Sequence, residues 1–144
     1  MSIQEQLKSM AALFECVPDT PGPGFTRIVT PFLLPDGDVL DLFYREEAGT
    51  SLLTDGGETL RWLRDQWGER KLPAAIREQL PGICQTHGIE LWHGRLEIRF
   101  TEETEVVGAL MRLAQAALRV SDLWFVLHEK LSSASPHNEP DPEA

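Results

Sequence analysis

Hydrophobic positions switch between helical and strand spacing along this chain, and the switches outline its elements. Ile3, Leu7, Met10 and Phe14 recur at steps of four and three, which predicts a helix over 3–16. Ser2 and Glu5 suit a capping box at its start. An apolar stripe of this kind needs cover, so this helix is expected to pack back on the core. The Pro/Gly-rich segment 18–24 can hold neither helix nor ladder for long and reads as a connector. From Phe25 to Leu34 the chain is rich in β-branched and aromatic residues and predicts a strand. Pro31 removes a ladder donor, so that strand is an edge, or is bulged or broken there. Turn signatures at 35–38 and 46–49 separate it from strands over 38–44 and 51–54, completing an antiparallel meander.

Helical spacing then returns. Leu60, Leu63 and Trp67 mark a short helix that Gly68 should stop. A second helix is expected from Pro73 to about His87, with a break or kink at Pro81-Gly82. Residues 89–92, a His93-Gly94 turn and 95–100 read as a hairpin. In its second strand Leu96, Ile98 and Phe100 alternate with Arg95, Glu97 and Arg99, the pattern of a half-exposed strand. Val106, Leu110, Leu113, Ala117, Val120, Trp124, Leu127 and Leu131 then predict one long helix crossing the sheet. Asp122 falls close to that stripe and argues against a simple coiled coil.

These elements define an α+β domain. A three-stranded antiparallel meander and a second hairpin are packed with an N-terminal helix, two middle helices and a long C-terminal helix. The expected boundaries are an N-terminal helix over 1–17, the connector over 18–24, a core over 25–131 and a disordered tail over 132–144, which has no large apolar residue.

Composition narrows the function more than the fold. A net charge of −10, from 23 acids against 13 bases, disfavours direct binding to a phosphate backbone. It suits either solubility or a partner protein with a basic, nucleic-acid-binding surface, which one dense acidic face would engage by mimicking nucleic acid. No apolar run approaches the roughly 18 residues of a membrane span. Cys16 and Cys84 read as reduced, small apolar core residues, and a cytoplasmic location is expected.

The stretch from Thr50 to Leu63 reads as a strand end, a glycine turn and a helix start in unbroken succession. Asp55 is placed to accept backbone N–H groups at the helix start, and Glu58 to close a capping box. Gly56 and Gly57 permit the sharp turn. Thr30-Pro31-Phe32, Asp36-Gly37-Asp38 and Leu53-Thr54-Asp55-Gly56-Gly57-Glu58-Thr59-Leu60 follow one another here. In that order they resemble the domain-of-unknown-function family eighteen twenty-eight, which has a Thr-Pro-Phe strand, an Asp-Gly-Asp turn and a Leu-Thr-Asp-Asp-Gly-x-Thr-Leu segment. Weaker similarity extends to 88–91, 94–96 and 120–123. This chain has Gly56 where the family often has a second Asp. The resemblance implies a small bacterial or phage-borne protein linked to mobile elements, and no established activity.

Candidate chemistry is sparse. Asp38, Asp41 and Asp55 are the weak catalytic candidates: on adjoining strands they could surround a divalent metal in a small hydrolase. Each also has a local structural use, as turn, solvated strand residue or helix cap. Glu97-Ile98-Arg99 only approximates a nuclease motif, with Arg in place of Lys. Cys84, His87 and His93 lack the paired spacing of a zinc site. No metal or cofactor is therefore assigned. Trp62 lies off the apolar face of its helix and Trp92 stands at a turn, which makes them candidate interface anchors. The leading expectation is a non-catalytic, acidic protein-interaction module, an inhibitor or adaptor in conflict between mobile elements and hosts. The metal-dependent hydrolase and a homodimeric scaffold built on the long helix are the alternatives.

Overall fold

The computed structural model describes residues 1–18 and 24–133. Its centre is a six-stranded antiparallel sheet in the order β1-β2-β3-β4-β6-β5. The strands are β1 (Glu15–Pro18), β2 (Thr26–Leu33), β3 (Val39–Glu47), β4 (Thr50–Thr54), β5 (Glu90–Trp92) and β6 (Arg95–Phe100). The expected meander and hairpin are both present, and they join through the β4–β6 pairing into one sheet.

Pro31 sits where the β2–β3 register shifts, between Val29 and Leu33. The buried Thr30 hydroxyl bridges the irregularity. It donates to the Leu40 carbonyl at 2.7 Å and accepts from the Phe32 N–H at 3.2 Å. The turn between β3 and β4 and that between β5 and β6 are two-residue turns, Ala48-Gly49 and His93-Gly94. In each turn both residues have positive φ, the conformation whose twist matches the flanking strands.

The N-terminal segment departs from its expected single helix. It forms α1 (Ile3–Lys8), a 3-10 turn (Ser9–Leu13) and then β1. Phe14 turns extended and packs edge-on against Phe32, with ring centroids 5.9 Å apart. The following residues gain ladder bonds along β2, which a helix here could not make. The Ser2/Glu5 capping box forms. Most of the stripe is not packed back: Ile3, Leu7 and Met10 are exposed, and Phe14 alone of the four packs against the core. Cys16 rides at the sheet edge and is exposed, contrary to its expected burial, whereas Cys84 is buried.

Helices α2 (Glu58–Trp67), α3 (Ala74–Arg77), α4 (Leu80–His87), α5 (Val106–Ser121) and α6 (Leu123–Ser133) contribute to one core. The expected second middle helix is split into α3 and α4 just before Pro81, which leaves the proline in the first turn of α4, where its missing N–H costs nothing. The expected long C-terminal helix is likewise two helices. Asp122 ends α5, and the Ser121 hydroxyl donates to the Leu118 carbonyl at 2.8 Å. Val120 and Leu127 of the stripe are buried on either side of the break, but Leu123 takes the buried position between them and Trp124 is half-buried. Ala109, Ala114, Ala116 and Ala117 are buried on α5, which packs against β4, β6, α2 and α4. That face of α5 is therefore taken up inside the chain, while Val107 and Gln115 on the same helix are exposed. α6 runs two residues past the expected boundary at 131, while the rest of the expected tail and residues 19–23 of the connector lie outside the described residues.

The helices cover only one side of the sheet. Opposed residues on neighbouring strands point the same way, so Ile28 and Leu42, and Tyr44, Leu53 and Ile98, form rows under the helices. These rows join the core. Phe43 and Leu52, one residue out of step, are buried yet lie outside that core. They belong to the other face.

Candidate functional site

On the other face, Arg27, Phe43, Thr54 and Glu97 form one cross-strand row, and Arg45, Leu52 and Arg99 the next. Arg95 and Trp92 oppose each other at the β5 edge. The start of α2 borders this surface, with Glu58, Thr59 and Trp62 in the wall of one of its cavities. Arg45 stacks on the Phe25 ring, with its guanidinium carbon 4.4 Å from the centroid.

Charges alternate across the face. Arg95 Nε donates to Glu97 Oε2 at 2.9 Å, and Arg99 approaches the other Glu97 oxygen at 3.7 Å and Glu47 at 3.5 Å. Arg45 pairs with Glu47. The Glu97 side chain is only 3% exposed, so this is a desolvated carboxylate held by cations that reach solvent. The alternation 95–99 predicts an exposed Glu97. Its burial depends on the β4–β6 pairing, which no local pattern reveals.

Two cavities flank Phe43. One, of about 340 Å³, is lined by Arg45, Arg95 and Arg99 with Glu47 and Glu97. The other, of about 430 Å³, is lined by Arg27, Asp38, Asp41, Glu58, Thr59 and Trp62 among others. Arg27 Nη1 donates to Asp41 Oδ2 at 3.3 Å. The Trp62 indole N–H donates to Asp36 Oδ2 at 2.9 Å, which ties α2 to the β2–β3 turn. Asp36 also accepts the Asp38 N–H at 3.0 Å. These bonds, the Asp38 N–H first and the indole second, hold the Asp36 carboxyl below its ordinary range.

The expected carboxylate trio is not brought together. Asp38 and Asp41 share the larger cavity, but Asp55 is fully buried outside it. Asp55 Oδ1 accepts the Gly57 N–H and the Leu96 N–H, each at 2.9 Å, and Oδ2 accepts the Thr59 N–H at 3.2 Å. Its carboxylate therefore serves the backbone on both sides of the junction. Glu58 does not close the expected capping box. It pairs instead with Arg61 at 2.9 Å, one turn along the exposed side of α2. Gly56 and Gly57 adopt positive φ, and a Cβ at Gly56 would stand 3.2 Å from the Phe43 ring. Among the described residues, no three His, Cys, Asp or Glu side chains converge on a common metal position.

The remaining candidates separate. Trp92 is 55% exposed and meets His93 edge-on at 4.4 Å between ring centroids. Trp62 is half-buried in the cavity wall. Burial, then the charge of Asp55, pushes the Cys84 thiol above its ordinary value, which leaves it protonated and a poor nucleophile. His87 faces Arg119 at 3.3 Å. Acidic residues fall on α1, β1, β3, α2, β5, β6 and α6 and in the connections, with a local cluster at Glu102, Glu103 and Glu105, whereas β2, β4, α3, α4 and α5 carry none. No helix among the described residues is long and apolar enough to cross a membrane.

The fold and this face define an α+β domain with helices on one side of an antiparallel sheet and a charged, cavity-bearing surface on the other. The chain belongs to the family described as Domain of unknown function DUF1828, whose model matches residues 30–120. No curated protein and no solved structure matches it.

Proposed function

We propose that the protein is a non-catalytic interaction module that meets a partner protein through the uncovered face of its sheet. The observation that carries this reading is the arginine-rich surface itself. Arg27, Arg45, Arg95 and Arg99 share one face with Phe43 and Trp92 in a chain whose charge is otherwise strongly acidic. Arginine and aromatic side chains are the groups that most often anchor protein interfaces. The hydrolase alternative loses support because Asp55 is committed to three backbone N–H groups. Nucleic-acid mimicry is not part of the proposal, because the face invoked here is rich in arginine. A basic partner surface remains so, because Asp38, Asp41 and Glu58 edge the larger cavity.

The test is affinity capture from a lysate of the source cells at physiological salt. Wild-type protein should retain a stoichiometric partner. A folded Arg45→Glu/Arg99→Glu variant should lose it, and Arg119→Glu on α5 should keep it. Equal capture by all three, or no stoichiometric partner, overturns the reading.

A further inference from the structure

The larger cavity beside Phe43 holds polar atoms that the fold leaves unused. Thr59 is 1% exposed, and its Oγ1 is buried with no hydrogen-bond partner among the described residues. Asp41 uses Oδ2 for Arg27, while its Oδ1 is buried and unpaired. Arg27 Nε is a buried donor in the same condition. All three residues line the cavity. Unpaired buried polar groups are rare because each forfeits its hydration without return, so three of them on residues of one cavity wall mark a candidate binding site.

The chemistry of the wall selects the occupant. Arg27 offsets Asp41 and Arg61 offsets Glu58, which leaves the charge of Asp38 in excess, so the field favours a positive group. Trp62 offers an aromatic surface beside them. Asp41 Oδ1 and Thr59 Oγ1 are acceptors for a multi-pronged N–H donor, whereas Arg27 Nε requires an acceptor such as a peptide carbonyl. A simple amine satisfies only the first need. A basic residue in peptide linkage satisfies both, and a cavity of about 430 Å³ lies within the roughly 300–1,000 Å³ of small-ligand sites.

We infer that this cavity receives an arginine side chain presented by the partner protein, with the guanidinium held by Asp41 and Thr59 beside Trp62. This deepens the interaction reading and rests on it for the identity of the presenting chain.

The probe is N-acetyl-arginine methylamide, titrated into the full chain while the Trp62 indole N–H is followed by NMR. The expected result is a saturable shift of that resonance, absent with N-acetyl-glutamine methylamide and weaker with methylguanidinium. Asp41→Asn should weaken binding by about tenfold or more, the scale of a charge-assisted hydrogen bond. Thr59→Val should weaken it by roughly threefold while leaving the free protein as stable or more so, because it removes an unpaired buried hydroxyl. Thr59→Val keeps the test decisive if Asp41→Asn fails to fold. No saturable shift, or equal shifts with the glutamine probe, overturns the inference. Probe binding without any face-dependent partner capture would instead overturn the interaction module and leave the arginine site standing. Face-dependent capture without probe binding would do the reverse.

Discussion

Asp55 and Leu96 are joined twice. The Leu96 N–H donates to Asp55 Oδ1 at 2.9 Å, and the Leu96 carbonyl accepts the Asp55 N–H at 3.1 Å. One side chain thus links the β4–α2 junction to the start of β6, 41 residues further along. Asp55→Ala would leave the buried N–H groups of Gly57, Thr59 and Leu96 without their acceptor. We expect a loss of roughly 3–5 kcal/mol, since each orphaned buried donor costs about 1–3 kcal/mol and neighbouring losses do not add fully. Urea unfolding followed by tryptophan fluorescence measures it, and a loss below about 1 kcal/mol would show that the junction does not depend on this carboxylate.

That junction also marks what a reader of the sequence can and cannot see. An Asp before two glycines at a strand end announces a helix start, so the local role of Asp55 was legible. Its bond to Leu96 was not, because α2, α3, α4 and β5 intervene. The same limit hid the charged face. Arg45 and Glu47 become neighbours of Arg99 and Glu97 only once β4 pairs with β6. Local periodicity misled at both ends of the chain. Ile3 to Phe14 have helical spacing, yet the pairing of 15–18 with β2 outweighs it. The apolar stripe runs on across Asp122, so spacing alone does not register the break there.

Ala48 is a non-glycine residue in a left-handed conformation, with φ of 48°, at the first position of the β3–β4 turn. Asparagine tolerates this region better than alanine and is favoured before glycine in such turns. Ala48→Asn should therefore stabilise the protein by about 0.5–1 kcal/mol, read as a higher urea midpoint at unchanged slope. A lower midpoint would contradict the turn geometry.

The bond between Trp62 and Asp36 carries a pH signature. The folded-state pKa of Asp36 lies below its ordinary 3.8, so the stabilisation it provides is complete above that value. It is lost as pH falls through the lower folded value. The Trp62 indole N–H resonance should hold its position down to about pH 3.8 and move only below it. Asp36→Asn should abolish that movement. A transition well above 3.8 would mean that the indole reports a different carboxylate.

The two cysteines should differ sharply towards thiol reagents. Cys16 is exposed on β1 and should label at once in the native protein. Cys84 is buried, with its pKa raised from 9.0 chiefly by desolvation, and should label only on unfolding. Because its folded-state pKa is the higher one, its contribution to stability is intact below pH 9.0 and declines as pH rises through the folded value. Mass spectrometry after timed alkylation separates the two sites, and rapid native labelling of Cys84 would contradict its burial.

The central claim is that the uncovered sheet face, and not the helical layer, meets a partner protein. Site-specific photo-crosslinking tests it most directly. A photoreactive residue replaces either Trp92, exposed on the sheet face, or Gln115, exposed on α5. Irradiation in the source cells should give one discrete protein adduct from position 92 and none from position 115. An adduct from position 115 alone, or none from position 92, would contradict the account.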